Sequence, residues 1–191
     1  MLQVDKIINS IFDSITWLLS ETESNQVWLV DCGDIAPIIE RIGTREVAGV
    51  LLTHAHFDHI YGLPKLIDQY PSCVIYTNEI GRDSLADSRL NMSLYNETPI
   101  TVVGPQIMIC CEGDEISLFS GVQAMVFETP GHHPSCLTYM IADYLFTGDA
   151  FIPGVKVVTR LPKGDKKQAE LSVSRIVKMS KGRMVMCGHH K

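Results

Sequence analysis

The stretch Leu51–Gly62, LLTHAHFDHIYG, closes the run REVAGVLLT that begins at Arg45. From Val47 to Leu52 that run holds only Val, Ala, Gly and Leu, the pattern of a strand buried on both faces. At its C-terminal end stand His54, His56, Asp58 and His59. Side chains at i and i+2 of a strand point the same way, so His54 and His56 are expected to converge on one point. Asp58 and His59 follow once the chain turns away, and can face a second point nearby. Loops at strand ends are where rigid scaffolds carry function.

The other four of the seven histidines sit in two further short places. His132 and His133 lie in TPGHHPS, and His189 and His190 in CGHHK, each after an apolar strand-like run. The second members, His133 and His190, read as solvated or hydrogen-bonded side chains and not as ligands. Neutral imidazoles suit zinc, iron and similar borderline metals, and carboxylates add charge and can bridge. A catalytic site also keeps one coordination position for water. Asp149, in YLFTGDA, closes another apolar run behind Gly148 and is the expected additional carboxylate. Such a donor set can hold two divalent ions. Zinc is the first choice, and iron or manganese fits the same ligands.

Working outward, 191 residues are the length of one domain, expected over 1–191. SITWLLS and NQVWLVDCG flank the polar turn ETESN and read as a hairpin. Asp34 is placed to cap a helix through Ile42, with Pro37 in its first turn and Gly43 just beyond. PKLIDQY reads as helix, SCVIYT as strand, and EIGRDSLADSRLNMSLYNE as one or two helices. Between Pro99 and Phe151, ITVV, QIMICC, DEISLF, VQAMVFETP, LTYMIA and YLFTGDAF form a strand-rich meander. Asp165 with Gln168 starts a helix, and Ala169, Val173, Ile176, Val177 and Ser180 follow at helical spacing up to Gly182. RMVMCG is a last short strand. Each half thus offers a sheet with helices. The simplest α+β arrangement is two sheets face to face with helices outside.

Composition narrows the function. A net charge of −6 argues against a non-specific grip on nucleic acid, which needs a basic face. No apolar stretch approaches the roughly 20 residues of a membrane span. The N-terminus lacks the basic start of a signal peptide, and Asp5, Lys6 and Asp13 interrupt its apolar character. The expected setting is cytoplasmic. None of the six cysteines forms a C-x-x-C pair, so they read as buried thiols rather than a zinc ribbon.

These elements together resemble the metallo-β-lactamase superfamily. THAHFDH matches its T-H-x-H-x-D-H signature, and TPGHHPS resembles its P-G-H-T-P-G-S element. FTGDAF resembles its bridging G-D, and CGHH its closing G-H. The resemblance implies an αββα four-layer sandwich with a metal site along one edge. It implies His54, His56 and His132 on a first metal, Asp58, His59 and His189 on a second, and Asp149 between them. Asp31 of LVDCG matches the family's strand-end D-x-G and would support the site from behind. Aspartate at the bridge and histidine in the third cluster are most similar to the glyoxalase II branch. His133 replaces a usual threonine there, and Ser135-Cys136 replaces Gly-Ser. VVTRLPKGD keeps Arg160 but lacks the branch's Gly-Arg-x-Asp. The sequence ends at Lys191, so the helical region that binds glutathione in long glyoxalase II enzymes has no counterpart in it.

The reaction this implies is metal-assisted hydrolysis of a thioester, ester or lactone-type carbonyl in a small molecule, with a hydroxide between two metals as nucleophile. Asp58 is the ligand singled out for a catalytic part. Phe57, Tyr61, residues 91–95 including Tyr95, Phe151, Lys156 and Arg160 are candidates for the substrate pocket. The rival readings are a single-iron persulfide dioxygenase-like oxidoreductase and a metal-binding module without turnover.

Overall fold

The computed structural model describes residues 1–190. Six strands make the first sheet: β1 (Leu2–Ile8), β2 (Ile15–Glu21), β3 (Gln26–Val30), β4 (Glu46–Leu51), β5 (Val74–Thr77) and β6 (Ile107–Ile109), in that spatial order. β1, β2 and β3 pair antiparallel, while β3 to β6 run parallel. The change follows from the connections. The short turn Thr22–Asn25 suffices for an antiparallel neighbour, whereas parallel strands need crossovers. Those crossovers carry α1 (Ile35–Ile42), then α2 (Phe57–Ile60) with α3 (Leu63–Gln69), then α4 (Glu79–Leu85). The second sheet is an antiparallel meander of β7 (Glu115–Phe119), β8 (Val122–Glu128), β9 (Leu137–Ile141) and β10 (Tyr144–Gly148). α5 (Lys166–Met179) then returns the chain so that β11 (Met184–Cys187) lies parallel to β10.

Strand alternation divides the core. Leu18, Val27, Leu29 and Val50 face α1 and α3, while Leu19, Trp28, Val30 and Leu51 face the second sheet. The second sheet answers with Ile116, Val126, Tyr139 and Phe146. Trp28 Nε1 donates to Leu118 O across the gap at 2.9 Å, which fixes how the sheets meet. Leu145 and Cys136 bury their side chains on the far side, against Ile176 of α5. Each fully buried leucine contributes about 2 kcal/mol by removal from water. The result is the expected four-layer sandwich.

Several local expectations change. β1 pairs along its whole length with β2 although its sequence carries Asp5 and Lys6, which an edge strand tolerates. ITVV forms no ladder; Val102 N donates to Leu85 O instead, at 2.8 Å. β6 joins the first sheet, not the meander that surrounds it in sequence. Asp34 occupies the N-cap position of α1 without a capping bond, since its carboxylate is taken by Ser10 N, Ser10 Oγ and Tyr61 OH. Asp165 does cap α5, accepting from Gln168 N at 2.9 Å. The buried face of α5 is Ala169, Ser172 and Ile176, and Val177 is 45% exposed. Finally, β4 ends at Leu51, so His54 and His56 lie past the strand and are aimed by a loop.

Candidate metal centre

One edge of the sandwich collects the ends of β3, β4, β8, β10 and β11. Asp31 follows β3 directly, in the left-handed region at φ 60°, where Asp is among the few tolerated residues. It is buried and accepts three hydrogen bonds: Thr53 N (2.7 Å), Thr53 Oγ1 (2.7 Å) and His59 Nδ1 (2.9 Å). It thereby ties the loop after β4 to the end of β3. Thr53 Oγ1, having given its proton to Asp31, accepts from His54 Nδ1 at 3.2 Å.

These partners set the tautomers. His132 Nδ1 donates to Val158 O at 2.8 Å, and His189 Nδ1 to Phe12 O at 2.8 Å. In His54, His59, His132 and His189 alike, Nδ1 is the donor, so the neutral ring presents an Nε2 lone pair. An outward bond that orients an imidazole in this way is what metal-ligating histidines make. Those lone pairs converge. His56 Nδ1 and His132 Nε2 are 3.0 Å apart, and His59 Nε2 and His189 Nε2 are 3.3 Å apart. Asp58 Oδ2 lies 3.3 Å from both His59 Nε2 and His189 Nε2. Asp149 sits between the two sets, 3.6 Å from His132 Nε2, 3.6 Å from His59 Nε2 and 3.2 Å from His189 Nε2.

The donors fit metal ions. His54, His56 and His132 offer atoms within 4.8 Å of one another, as do His54, His59 and Asp149, and Asp58, His59 and His189. Buried His54 Nε2 and Asp149 Oδ1 have no hydrogen-bond partner among the described residues. Leaving such groups unsatisfied costs roughly 1–3 kcal/mol each, which a cation between them would offset. Two glycines let the walls close in. A Cβ on Gly148, at φ 49°, would overlap Thr53 Oγ1, and one on Gly188 would overlap Asp149 Oδ1.

Electrostatics divides the histidines. Burial, with the neighbouring imidazoles, pushes His54 down and His56 down to about 3. Burial also disfavours charge on His59 and His189, but carboxylates outweigh it. Asp58, Asp149 and Asp31 hold His59 well above the usual imidazole range, and Asp149 and Asp58 raise His189 to about 10. Burial opposes ionisation of Asp58 too, and the His59 charge with bonds from His189 and His59 overrides it.

A pH dependence follows. For His189, raised from 6.5 to about 10, the stabilisation of the metal-free fold is full below pH 6.5 and is lost as pH climbs towards 10. A metal ion must displace the same protons. Apparent metal affinity is therefore expected to rise about tenfold per pH unit per displaced proton between pH 6.5 and 9. Calorimetric titration in buffers of different ionisation enthalpy should register about one to two protons released per chain; an affinity flat with pH would contradict this.

The family model of the metallo-beta-lactamase superfamily matches residues 16–189. The chain belongs to the metallo-beta-lactamase superfamily. A hydroxyacylglutathione hydrolase of Aliivibrio fischeri (strain MJ11) is 32% identical over 187 residues, covering 96% of this chain and 64% of that one. The chain spans less than two thirds of the length of the curated relatives it matches first. Among solved structures, the BLEG-1 B3 metallo-beta-lactamase superposes with a TM-score of 0.89 at 26% identity, covering 99% of this chain and 92% of that one. ETHE1 from Myxococcus xanthus shares the fold, with a TM-score of 0.76 at 20% identity over 99% of this chain and 76% of that one.

In this superfamily member a cleft of about 520 Å³ opens over His56, His132, His189 and the carboxylates of Asp58 and Asp149. Phe57 and Tyr95 line it, as does Met92 from the candidate segment 91–95. Tyr61 does not. It stands one helical turn behind Phe57, ring centroids 5.6 Å apart, and its hydroxyl donates to Asp34 at 2.7 Å. Arg160 is exposed and outside the lining, while Phe151 and Lys156 line a separate groove against α5. His133 is buried against the His56 ring with Nδ1 bonded to Ser135, and His190 is exposed and meets Lys6 Nζ at 2.9 Å. Four of the five cysteines other than Cys187 are buried, Cys111 being exposed.

Sequence reading missed Phe12, Asn96, Val158 and Leu161 in the cleft wall. Phe12 was findable in principle, as an aromatic residue in a polar turn. Phe12 and Asp13 are both left-handed, at φ 56° and 53°. That strain is held by His189 Nδ1 on Phe12 O and by His190 N on Asp13 O. No helix among the described residues is long and apolar enough to cross a membrane.

Proposed function

We propose that this protein is a metal-dependent hydrolase acting on a thioester, ester or lactone-type carbonyl of a small molecule. The observation that carries the reading is the place of Asp149, within 3.6 Å of nitrogen donors in both histidine sets, on the floor of an open cleft. His54, His56 and His132 would hold one divalent ion, Asp58, His59 and His189 a second, and Asp149 would face both. Zinc is the first candidate. Ions held there would supply a Lewis acid for a carbonyl oxygen and lower the pKa of a bound water towards ~7.

The chain's own groups do the rest. Asp31 and Thr53 hold His59 and His54 in one tautomer, and Val158 O and Phe12 O do so for His132 and His189. Asp58 stays ionised because its carboxyl is held well below the usual carboxylate range. That favours ligation over proton shuttling, for which a pKa near the working pH is needed. The name of the Aliivibrio fischeri relative supports thioester hydrolysis in particular.

Elemental analysis paired with a screen of thioesters, lactones and phosphoesters tests this. The wild type is expected to carry two divalent ions per chain and to hydrolyse a member of the carbonyl classes. Asp58→Ala should keep about one ion and lose at least about 100-fold in kcat. Full turnover by the one-metal variant would exclude the two-metal form. A single iron with thiol-dependent oxygen uptake would put a persulfide dioxygenase-like reaction in its place.

A further inference from the structure

The wall of the cleft has a chemical character that the metal floor does not dictate. Six side chains stand over the candidate ligands: Phe12, Phe57, Met92, Tyr95, Val158 and Leu161. They come from four separate parts of the chain, the β1–β2 turn, the start of α2, the segment after α4 and the loop after β10. Among the described residues, no lysine or arginine contributes to this lining. The nearby cations Lys156, Arg160 and Lys163 are exposed and outside it, Lys156 lining instead a small adjoining cavity that shares His132, Asp149 and Val158 with the cleft. Phe12, Tyr95 and Val158 are 73%, 77% and 41% exposed, so apolar surface is held open at the mouth. Large apolar groups left in water beside a polar floor mark a surface that a ligand covers.

Glutathione is a poor match to that wall. Its thioesters bring two carboxylates and an ammonium, and desolvating carboxylates without a cationic or hydrogen-bonding partner is unfavourable. Among the described residues, the polar side chains in the wall above the ligands are the Asn96 amide and the Tyr95 phenol. We infer that the cleft selects a neutral, apolar acyl substrate, a thioester or ester whose chain of several carbons packs on Phe57, Tyr95 and Leu161. An uncharged leaving group would face Phe12 and Val158. This deepens the hydrolase reading of the same site and rests on it. The volume of about 520 Å³ accommodates a medium-length acyl chain with a short leaving group.

The test separates recognition from turnover. Binding is measured on metal-loaded protein with two thioethers that cannot be hydrolysed, S-hexyl-N-acetylcysteamine and S-hexylglutathione. The uncharged compound should bind at least about tenfold more tightly (one power of ten in Kd corresponds to about 1.4 kcal/mol). Val158→Lys, which places a cation at the mouth, should narrow that ratio at least about threefold. Equal or tighter binding of S-hexylglutathione by the wild type, or no binding of either, overturns the inference. Turnover is measured with the hexanoyl thioesters of N-acetylcysteamine and glutathione. Absence of hydrolysis of both, with the tenfold binding preference intact, would sink the hydrolase reading and leave the apolar assignment of the cleft standing.

Discussion

Asp149→Ala is expected to lower kcat/KM about 10³-fold, equivalent to roughly 4 kcal/mol of barrier. The reason is position. Asp149 follows β10 behind Gly148, whose φ of 49° turns the chain so that the carboxylate reaches between the two histidine sets. The surroundings oppose its ionisation by burial, yet the His59 charge and the bond from His189 hold its pKa below the ordinary value. A charged carboxylate is thus available at any working pH. Removing it takes away a ligand within reach of both proposed ions and the counter-charge that keeps them together. Metal content should fall below two per chain. Asp149→Asn keeps the shape and one acceptor oxygen, and should recover part of the metal content but little of the rate. Two bound ions and activity within tenfold of wild type in Asp149→Ala would show that the carboxylate is not central. Circular dichroism should be unchanged, since Asp149 lies at the end of its strand and not in the ladder.

The second large effect is expected far from the substrate. Asp31→Ala removes the acceptor for Thr53 N, Thr53 Oγ1 and His59 Nδ1 at once. Three buried donors then lack a partner, and alanine at φ 60° adds backbone strain of about 1–2 kcal/mol. Together these should destabilise the fold by about 3–5 kcal/mol. Metal affinity should fall about 10–100-fold, because His59 and, through Thr53, His54 lose the bonds that aim them. Asp31→Asn separates the causes. Asparagine tolerates the left-handed conformation, so the variant should fold better than Asp31→Ala and still bind metal weakly. Denaturant titration with a metal-affinity measurement reads both effects. Wild-type affinity in Asp31→Asn would mean that the carboxylate aims nothing.

Much of this was legible in the residues. The apolar run before His54 forms the strand β4, buried between parallel neighbours, and the hairpin around ETESN and the Asp165 cap also form as the local pattern requires. Such features rest on turn chemistry and apolar periodicity, which act over a few residues. Where longer-range pairing competes, local pattern loses. ITVV has strand-like residues but its Val102 N is taken by Leu85 O at the end of α4, and Asp34 finds better partners in Ser10 and Tyr61 than in its own helix.

The candidate site divides along the same line. Residue type and order along the chain were enough to nominate His54, His56, Asp58, His59, His132, Asp149 and His189 as donors, because few other uses explain such a clustering of imidazoles at strand ends. Their meeting at one edge, with Asp149 between two sets, is a property of the packed sheets. So is the cleft wall. Val158 and Leu161 carry no chemical signature, and with Phe12 they face the same space only because the β1–β2 turn and the loop after β10 are bonded to His189 and His132 through their carbonyls. Tyr61 and Arg160 have the residue types of a binding pocket but stand outside it, one behind a helical turn and one in solvent. Ligand chemistry is written in side-chain identity, which a sequence displays. The shape that receives a substrate is set by contacts between segments far apart in the chain, and those exist only once the two sheets have closed on each other.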